Sequence, residues 1–320
     1  MTDALADSNS LPYDGFRNLR NDCLDHAARE ATVILVVGGT GYLGGMIARR
    51  LLEDGQAVRV LVRNGSSYQP IVDAGAETII GDMKNRASLD AAVAGVDTVI
   101  TTANSAQRGG DDNPQTVDLE GNANLVDAAR AAGVQHFIFV SAMPADVESP
   151  MPFFAAKGAT EQRLRASGMT WTILAPNIYM DVWAALVAGQ PAISGAPVVL
   201  VGEGKRKHAM VATQDVAAFA VAAVGNPAAR NQRLVIGGPE AVSWRDIAAT
   251  YERLLGRPVE IRSVAPGDPI ATLPEFMAGA LPGFEMFDSP VPMDDLAATY
   301  AVTLTPLEAF VRGHIELAIE

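Results

Sequence analysis

Three glycines, Gly38, Gly41 and Gly44, stand at intervals of three after an apolar run from Thr32 to Val37 and before a helix-like stretch. That spacing suits a cradle for phosphate. Gly38 lets the chain turn sharply off a strand, Gly41 leaves the backbone bare where a pyrophosphate would touch it, and Gly44 lets the helix lie close on the sheet. The helix N-terminus adds free N–H groups and the positive end of its dipole. Thr40, Tyr42 and Leu43 fill the turn and are expected to meet the same ligand. The next strand ends at Arg63, followed by Asn64. An acid roughly 20 residues past such a turn accepts from a ribose 2′-hydroxyl, whereas an arginine accommodates a 2′-phosphate. A guanidinium forks onto phosphate with paired hydrogen bonds. The expectation is a dinucleotide site that prefers NADP(H) over NAD(H).

In a doubly wound sheet, ligands lie beyond the carboxyl ends of the strands. Those ends read Gly81-Asp82-Met83, Thr102-Ala103-Asn104, Ser141-Ala142 and Pro176-Asn177-Ile178. Asp82 could accept from an adenine amino group or cap the following segment. Thr102, Ala103 and Asn104 are expected along the cofactor backbone. Lys157, within PFFAAKGATEQRL, could grip the nicotinamide ribose and feed a proton toward a substrate. Tyr179 is a substitute acid or a packed aromatic. His26, His136, His208 and His314 lack metal-ligand spacing, and His136 and His208 read as structural residues at strand starts. Asp215 reads as part of the N-terminal cap of TQDVAAF.

The elements that must place these groups alternate. Strands are predicted at 32–37, 57–63, 77–80, 97–103, 134–141 and 171–176, and helices at about 42–54, 87–94, 115–132, 152–168 and 181–188. The strands are continuous apolar runs such as HFIFV, as when helices cover both faces of a parallel sheet. The fold class expected is α/β, a Rossmann doubly wound parallel sheet with a smaller, loop-rich C-terminal substrate region. Residues 1–30 read as an arm, 31–190 as the NAD(P)-binding domain and 191–320 as mainly substrate-binding, with some segments returning to the sheet. The stretch Pro266 to Pro292 reads as loop-heavy and apolar, and its Met277, Leu281, Phe284, Met286 and Phe287 as core or as a flexible wall for an apolar or aromatic substrate.

Composition narrows the function classes. Over 320 residues, 24 Lys and Arg face 37 Asp and Glu, a net charge of −13, which repels nucleic acid and anionic membrane. One cysteine, Cys23, excludes an internal disulfide and a cysteine metal cluster, so no metal is expected. No apolar run reaches membrane-spanning length and the start of the chain lacks an export-signal pattern, so the expected location is cytoplasmic. A small molecule is the expected partner, and a homodimer is left open.

The turn VGGTGYLG, the strand end VLVRN, the GD after the third strand, VDLEGNANLVDAARAAGVQHFIFVSA, WTILAPNIYMDVW and HAMVATQDVAAFAVAAV together resemble an atypical short-chain dehydrogenase/reductase of the NmrA-like and isoflavone-reductase-like branch. The resemblance is good over roughly residues 32–225 and looser beyond. It implies a serine, a tyrosine and a lysine as the general active site. Ser141 matches the serine and Lys157 the lysine, but the tyrosine's position holds Phe153. Phenylalanine has no proton to give, which argues against reversible alcohol oxidation and sugar-nucleotide epimerisation. The isoflavone-reductase-like branch also lacks the tyrosine, and its members are NADPH-dependent reductases of aromatic or quinone-like substrates. The resemblance thus implies an NADPH-dependent reductase of a small apolar, aromatic or conjugated carbonyl acceptor. The alternative is a non-catalytic NADP(H)-sensing regulatory protein.

Overall fold

A computed structural model describes residues 32–106, 108–270 and 272–319. The expected arm, with Cys23 and His26, lies outside the described residues. Seven parallel strands form the main sheet in the order β3-β2-β1-β4-β5-β6-β8: β1 (Val33–Val37), β2 (Ala57–Val62), β3 (Glu77–Ile80), β4 (Thr98–Thr101), β5 (His136–Val140), β6 (Thr170–Pro176) and β8 (Gln232–Ile236). The order reverses between β1 and β4, which creates the crevice where such sheets bind ligands. The fold is the Rossmann arrangement expected.

Sheet alternation explains why these strands are apolar throughout. Ile34 and Val36 of β1 face one layer, with Ile47 and Leu51 of the helix Tyr42–Glu53 and Val216, Phe219 and Ala220 of the helix Thr213–Ala223. Leu35 and Val37 face the other, with Leu89, Leu125, Phe137, Phe139 and Leu164. Each residue of β1 from Ile34 to Val37 is buried, so both sides of the strand drive folding by removing apolar surface from water.

A third apolar cluster gathers residues from Ile178 onward, among them Met180, Leu200, Trp244, Ile247, Tyr251, Met277, Leu281 and Val311. The sequence reading departs from the structure here. Within the loop-heavy stretch after Pro266 lies a helix that the sequence did not announce, Glu275–Phe284, with Pro282 inside it. Its Met277 and Leu281 stand four apart, one face apart by a single turn, and bury together. The segment Val198–Val201 (β7) pairs in parallel with Ile261–Val264 (β9), a strand that shows no clear alternation of apolar and polar residues. His208 makes isolated bridges to Val242 and Ser289 and does not open a strand. Two helical segments, Pro114–Gly121 and Met180–Gly189, carry π geometry, which often marks functional regions.

Candidate active site

The turn after β1 has the geometry its glycines require. Gly38 adopts φ +90°, a region costly for any residue with a Cβ. A Cβ on Gly44 would lie 2.2 Å from the Gly38 carbonyl oxygen, so the helix can approach the strand only with glycine there. Gly41 differs. Its backbone (φ −85°, ψ 171°) is open to any residue, and a Cβ there would meet only the Gly38 oxygen, at 3.3 Å. The fold demands glycine less at 41 than at 38 or 44, since the Gly38 oxygen would have to give by only a few tenths of an ångström, whereas a ligand pressed against that backbone would demand it more. The helix Tyr42–Glu53 has no side-chain cap and no acid in its first turn. Its leading N–H groups therefore need an acceptor, and an anion serves. Thr40 and Tyr42 are exposed beside this end, while Leu43 packs into the sheet-facing cluster.

Beside the turn lies a cavity of about 550 Å³ lined by Arg63, Asn64, Gly65, Ser66, Ile80, Gly81, Asp82, Asn85 and Ser88. Ile80 is 57% exposed, an apolar plate at the edge of a sheet. Asp82 accepts from the Lys84 N–H at 2.8 Å, and the next helix is capped by Asn85. A narrow cleft joins the cavity to the turn, passing Gly38, Thr40, Asp82, Met83 and Ala103. The Thr102 N–H continues the ladder to Val37, and its hydroxyl fills the space that Gly38 and Gly44 leave free. Asn104 is locked within its own loop, donating to the Thr102 carbonyl and accepting from the Ala106 N–H.

Arg63 is not alone at this cavity. Its guanidinium sits 2.6 Å from Asp112, which also receives Lys84 at 2.6 Å and Arg108 at 3.5 Å. Lys84, Arg108 and Asp112 escaped the sequence reading. They come from two loops after different strands, and only the closed sheet brings them together. The cations hold the Asp112 carboxyl below its usual range, chiefly through the hydrogen bond from Lys84.

Lys157 lies at the other end of the crevice, buried on the helix Pro152–Arg165. Its ammonium donates to the Val140 carbonyl at 3.0 Å and lies 5.1 Å from the ring centres of both Phe139 and Phe153. The aromatic faces offset part of the cost of removing the charge from water. Burial still dominates, pulling the pKa down to about 8 against the opposing fields of Asp118 and Glu161. Ser141 stands near this group, but its hydroxyl donates to Glu161 at 2.6 Å. Glu161 also takes Arg165 and Arg233, and Arg233 donates onward to the Ala142 and Met143 carbonyls. Ser141 is thus a member of a buried ionic network that fixes the loop after β5.

The remaining predicted site residues have mostly architectural partners. Pro176 ends β6 and accepts from the Met143 N–H, and Ile178 accepts from the Val211 N–H. Asn177 donates its amide to the Ser289 carbonyl and hydroxyl, both at 3.1 Å. Ser289 in turn pairs with His208 Nδ1 at 2.7 Å, while His208 Nε2 reaches the Phe284 carbonyl at 2.9 Å. This chain ties the C-terminal segment to the end of β6. Ser289→Ala is expected to cost about 1–3 kcal/mol by stranding buried partners, read as a lower denaturant midpoint. Tyr179 packs against the sheet-facing cluster, and burial with the nearby Asp181 pushes its pKa far up, so it holds its proton and makes a weak acid. Asp215 is not a cap. Asp181 meets the Thr213 N–H at 2.7 Å, which leaves Asp215 to bind the Thr305 N–H and hydroxyl at 2.8 and 2.7 Å. Sequence proximity suggested the wrong donor because both true partners are distant in the chain.

Among the described residues, no group of side chains could hold a metal ion and no helix is long and apolar enough to cross a membrane. The chain is 32% identical over 227 residues to the NAD(P)H azoreductase of Xenophilus azovorans, covering 71% of this chain and 75% of that protein. It is 34% identical over 236 residues to the (4-alkanoyl-5-oxo-2,5-dihydrofuran-3-yl)methyl phosphate reductase of Streptomyces griseus, covering 72% and 77%. The solved Citrobacter sp. triphenylmethane reductase complexed with NADP(H) superposes with a TM-score of 0.74 at 24% identity, over 88% of this chain and 99% of that one. The profile of the NmrA-like family matches residues 30–310. The chain therefore belongs to the NmrA-like family.

Proposed function

We propose that this protein is an NADPH-dependent reductase that passes hydride to a small apolar, aromatic or conjugated carbonyl or quinone-like acceptor. The observation that carries the reading is Lys157: a buried ammonium with its pKa drawn down to about 8, at the carboxyl ends of the strands of a dinucleotide-type crevice. The residues present fit the cofactor. Gly38, Thr40, Gly41 and the uncapped helix N-terminus would hold the diphosphate, Arg63 with Lys84 a 2′-phosphate, Ile80 and Asp82 the adenine, and Lys157 the nicotinamide ribose. When bound, the reduced nicotinamide supplies a hydride, and one proton completes the reduction.

The protein's own residues do the rest. Lys157 gives up a proton near neutral pH, directly or through a water it orients, and its charge stabilises the anion that develops on the acceptor. Phe153 blocks the hydroxyl route that a tyrosine would open, so the proton falls to Lys157. Arg233 and Glu161 fix the loop after β5, next to the carbonyl that holds Lys157. The names of the two relatives at 32% and 34% identity support reduction as the reaction class.

The test is NADPH oxidation with a panel of quinones, enones, azo compounds and aromatic ketones. Turnover that vanishes in Lys157→Ala while NADPH still binds supports the reductase. Tight NADPH binding with no turnover across the panel overturns it in favour of an NADP(H)-sensing regulatory protein, a reading that Phe153 also fits.

A further inference from the structure

Three cations meet on one carboxylate at the mouth of the cavity. Arg63 comes from the end of β2, Lys84 from the loop after β3 and Arg108 from the loop after β4, and all reach Asp112. In a chain of net charge −13, so local a basic cluster calls for a specific counter-anion. Asp112 is the internal one, 14% exposed at its side chain. Its carboxylate contacts the very guanidinium that would take a 2′-phosphate, and it lines the cleft leading to Gly38 and Thr40.

Asp82 and Asp111 add to the negative field on Lys84, but among the described residues the ion pairs of Arg63 and Arg108 go to Asp112, and a phosphate dianion competes for those same donors. A dinucleotide without the 2′-phosphate faces the opposite situation. It brings no anion for these cations, so it competes with nothing that Asp112 already holds.

Resting on the nucleotide-binding reading above, we infer that Asp112 sets the cofactor preference of this site: it is displaced from Arg63 and Lys84 by the 2′-phosphate of NADPH, and it stays in place to neutralise them when NADH binds. The native chain accordingly takes both nucleotides, and Asp112 narrows the gap between them. The residue is a competitor for the clamp and acts through Arg63 and Lys84 without touching the reacting atoms.

Calorimetric titration of the full chain with NADPH, NADH and 2′,5′-ADP tests this in the native protein, in Asp112→Asn, and in Asp112→Ala as a second variant. Expected is tenfold or more tighter binding of NADPH and 2′,5′-ADP in both variants, with NADH unchanged or weaker. Two results overturn the inference alone: a ratio of NADPH to NADH affinity that moves less than twofold, or weaker NADPH binding in the variants. Failure of the native chain to bind either nucleotide removes this inference and the proposed function together.

Discussion

Lys157→Met is expected to lower turnover by about 10²–10⁴-fold while NADPH binds within tenfold of the native affinity, since a positioned proton donor contributes on that scale. Methionine keeps most of the length and the apolar character of the stem, so the space between Phe139 and Phe153 stays largely filled. The pH dependence follows from the same group. Its acid form disappears as pH rises through about 8, so native turnover falls above that point. Lys157→Arg, which stays charged, separates the two roles: residual activity without the alkaline fall assigns the effect to charge, and loss equal to that of methionine assigns it to the proton.

Stability moves the other way. The folded pKa of Lys157 lies below the unfolded value of about 10.4, so between the two the unfolded chain binds more protons and native stability rises with pH. Below pH 8 the full cost of burying the charge is present. Lys157→Met removes that cost and is expected to melt at or above the native Tm at pH 7, with the advantage shrinking as pH rises from about 8 to about 10 and levelling off above that. Melting curves of both proteins across that range check it. A variant both inactive and less stable at pH 7 would mean that the Val140 hydrogen bond and ring contacts outweigh desolvation.

The second large effect is expected at Gly41. The substitution Gly41→Ala should cost no more than about 1 kcal/mol, because the backbone there is unstrained and the one close atom, the Gly38 oxygen at 3.3 Å, must give by only a few tenths of an ångström. NADPH affinity should nevertheless fall by about 100-fold, since the methyl stands where the diphosphate must touch the amides. Gly44→Ala makes the contrast. Its methyl would sit 2.2 Å from a backbone oxygen that cannot yield, so overpacking of about 3 kcal/mol accompanies any loss of binding. Calorimetry and denaturation on the same preparations separate a ligand requirement from a folding requirement.

What could be read from residues alone was what the chain encodes locally. The β1-turn-helix-β2 unit declares itself because strand, glycines and helix are contiguous, and Arg63 because its place at a strand end follows from that unit. Lys157 was visible through its place on the helix after the fifth strand, and the family resemblance added that Phe153 stands where a tyrosine would be expected. Tertiary closure hid the rest. Arg63 looked like a free phosphate ligand, and only the folded loop shows Asp112, 49 residues on, already holding it. Ser141 read as a member of the active site, yet its partner Glu161 and the arginines around it arrive from the next helix and from β8. Asn177 read as a cofactor contact, but its amide is taken by Ser289, 112 residues away. The helix Glu275–Phe284 was masked by prolines and glycines whose helix-breaking tendency burial of Met277 and Leu281 overrides. Polar residues with distant partners were what the sequence hid most consistently, because side-chain hydrogen bonds leave no periodic trace.

The most direct measurement is a calorimetric titration of the purified chain with NADPH. The account predicts saturable binding of one NADPH per chain, weakened by Gly41→Ala. A flat titration, or binding indifferent to that methyl, would contradict it.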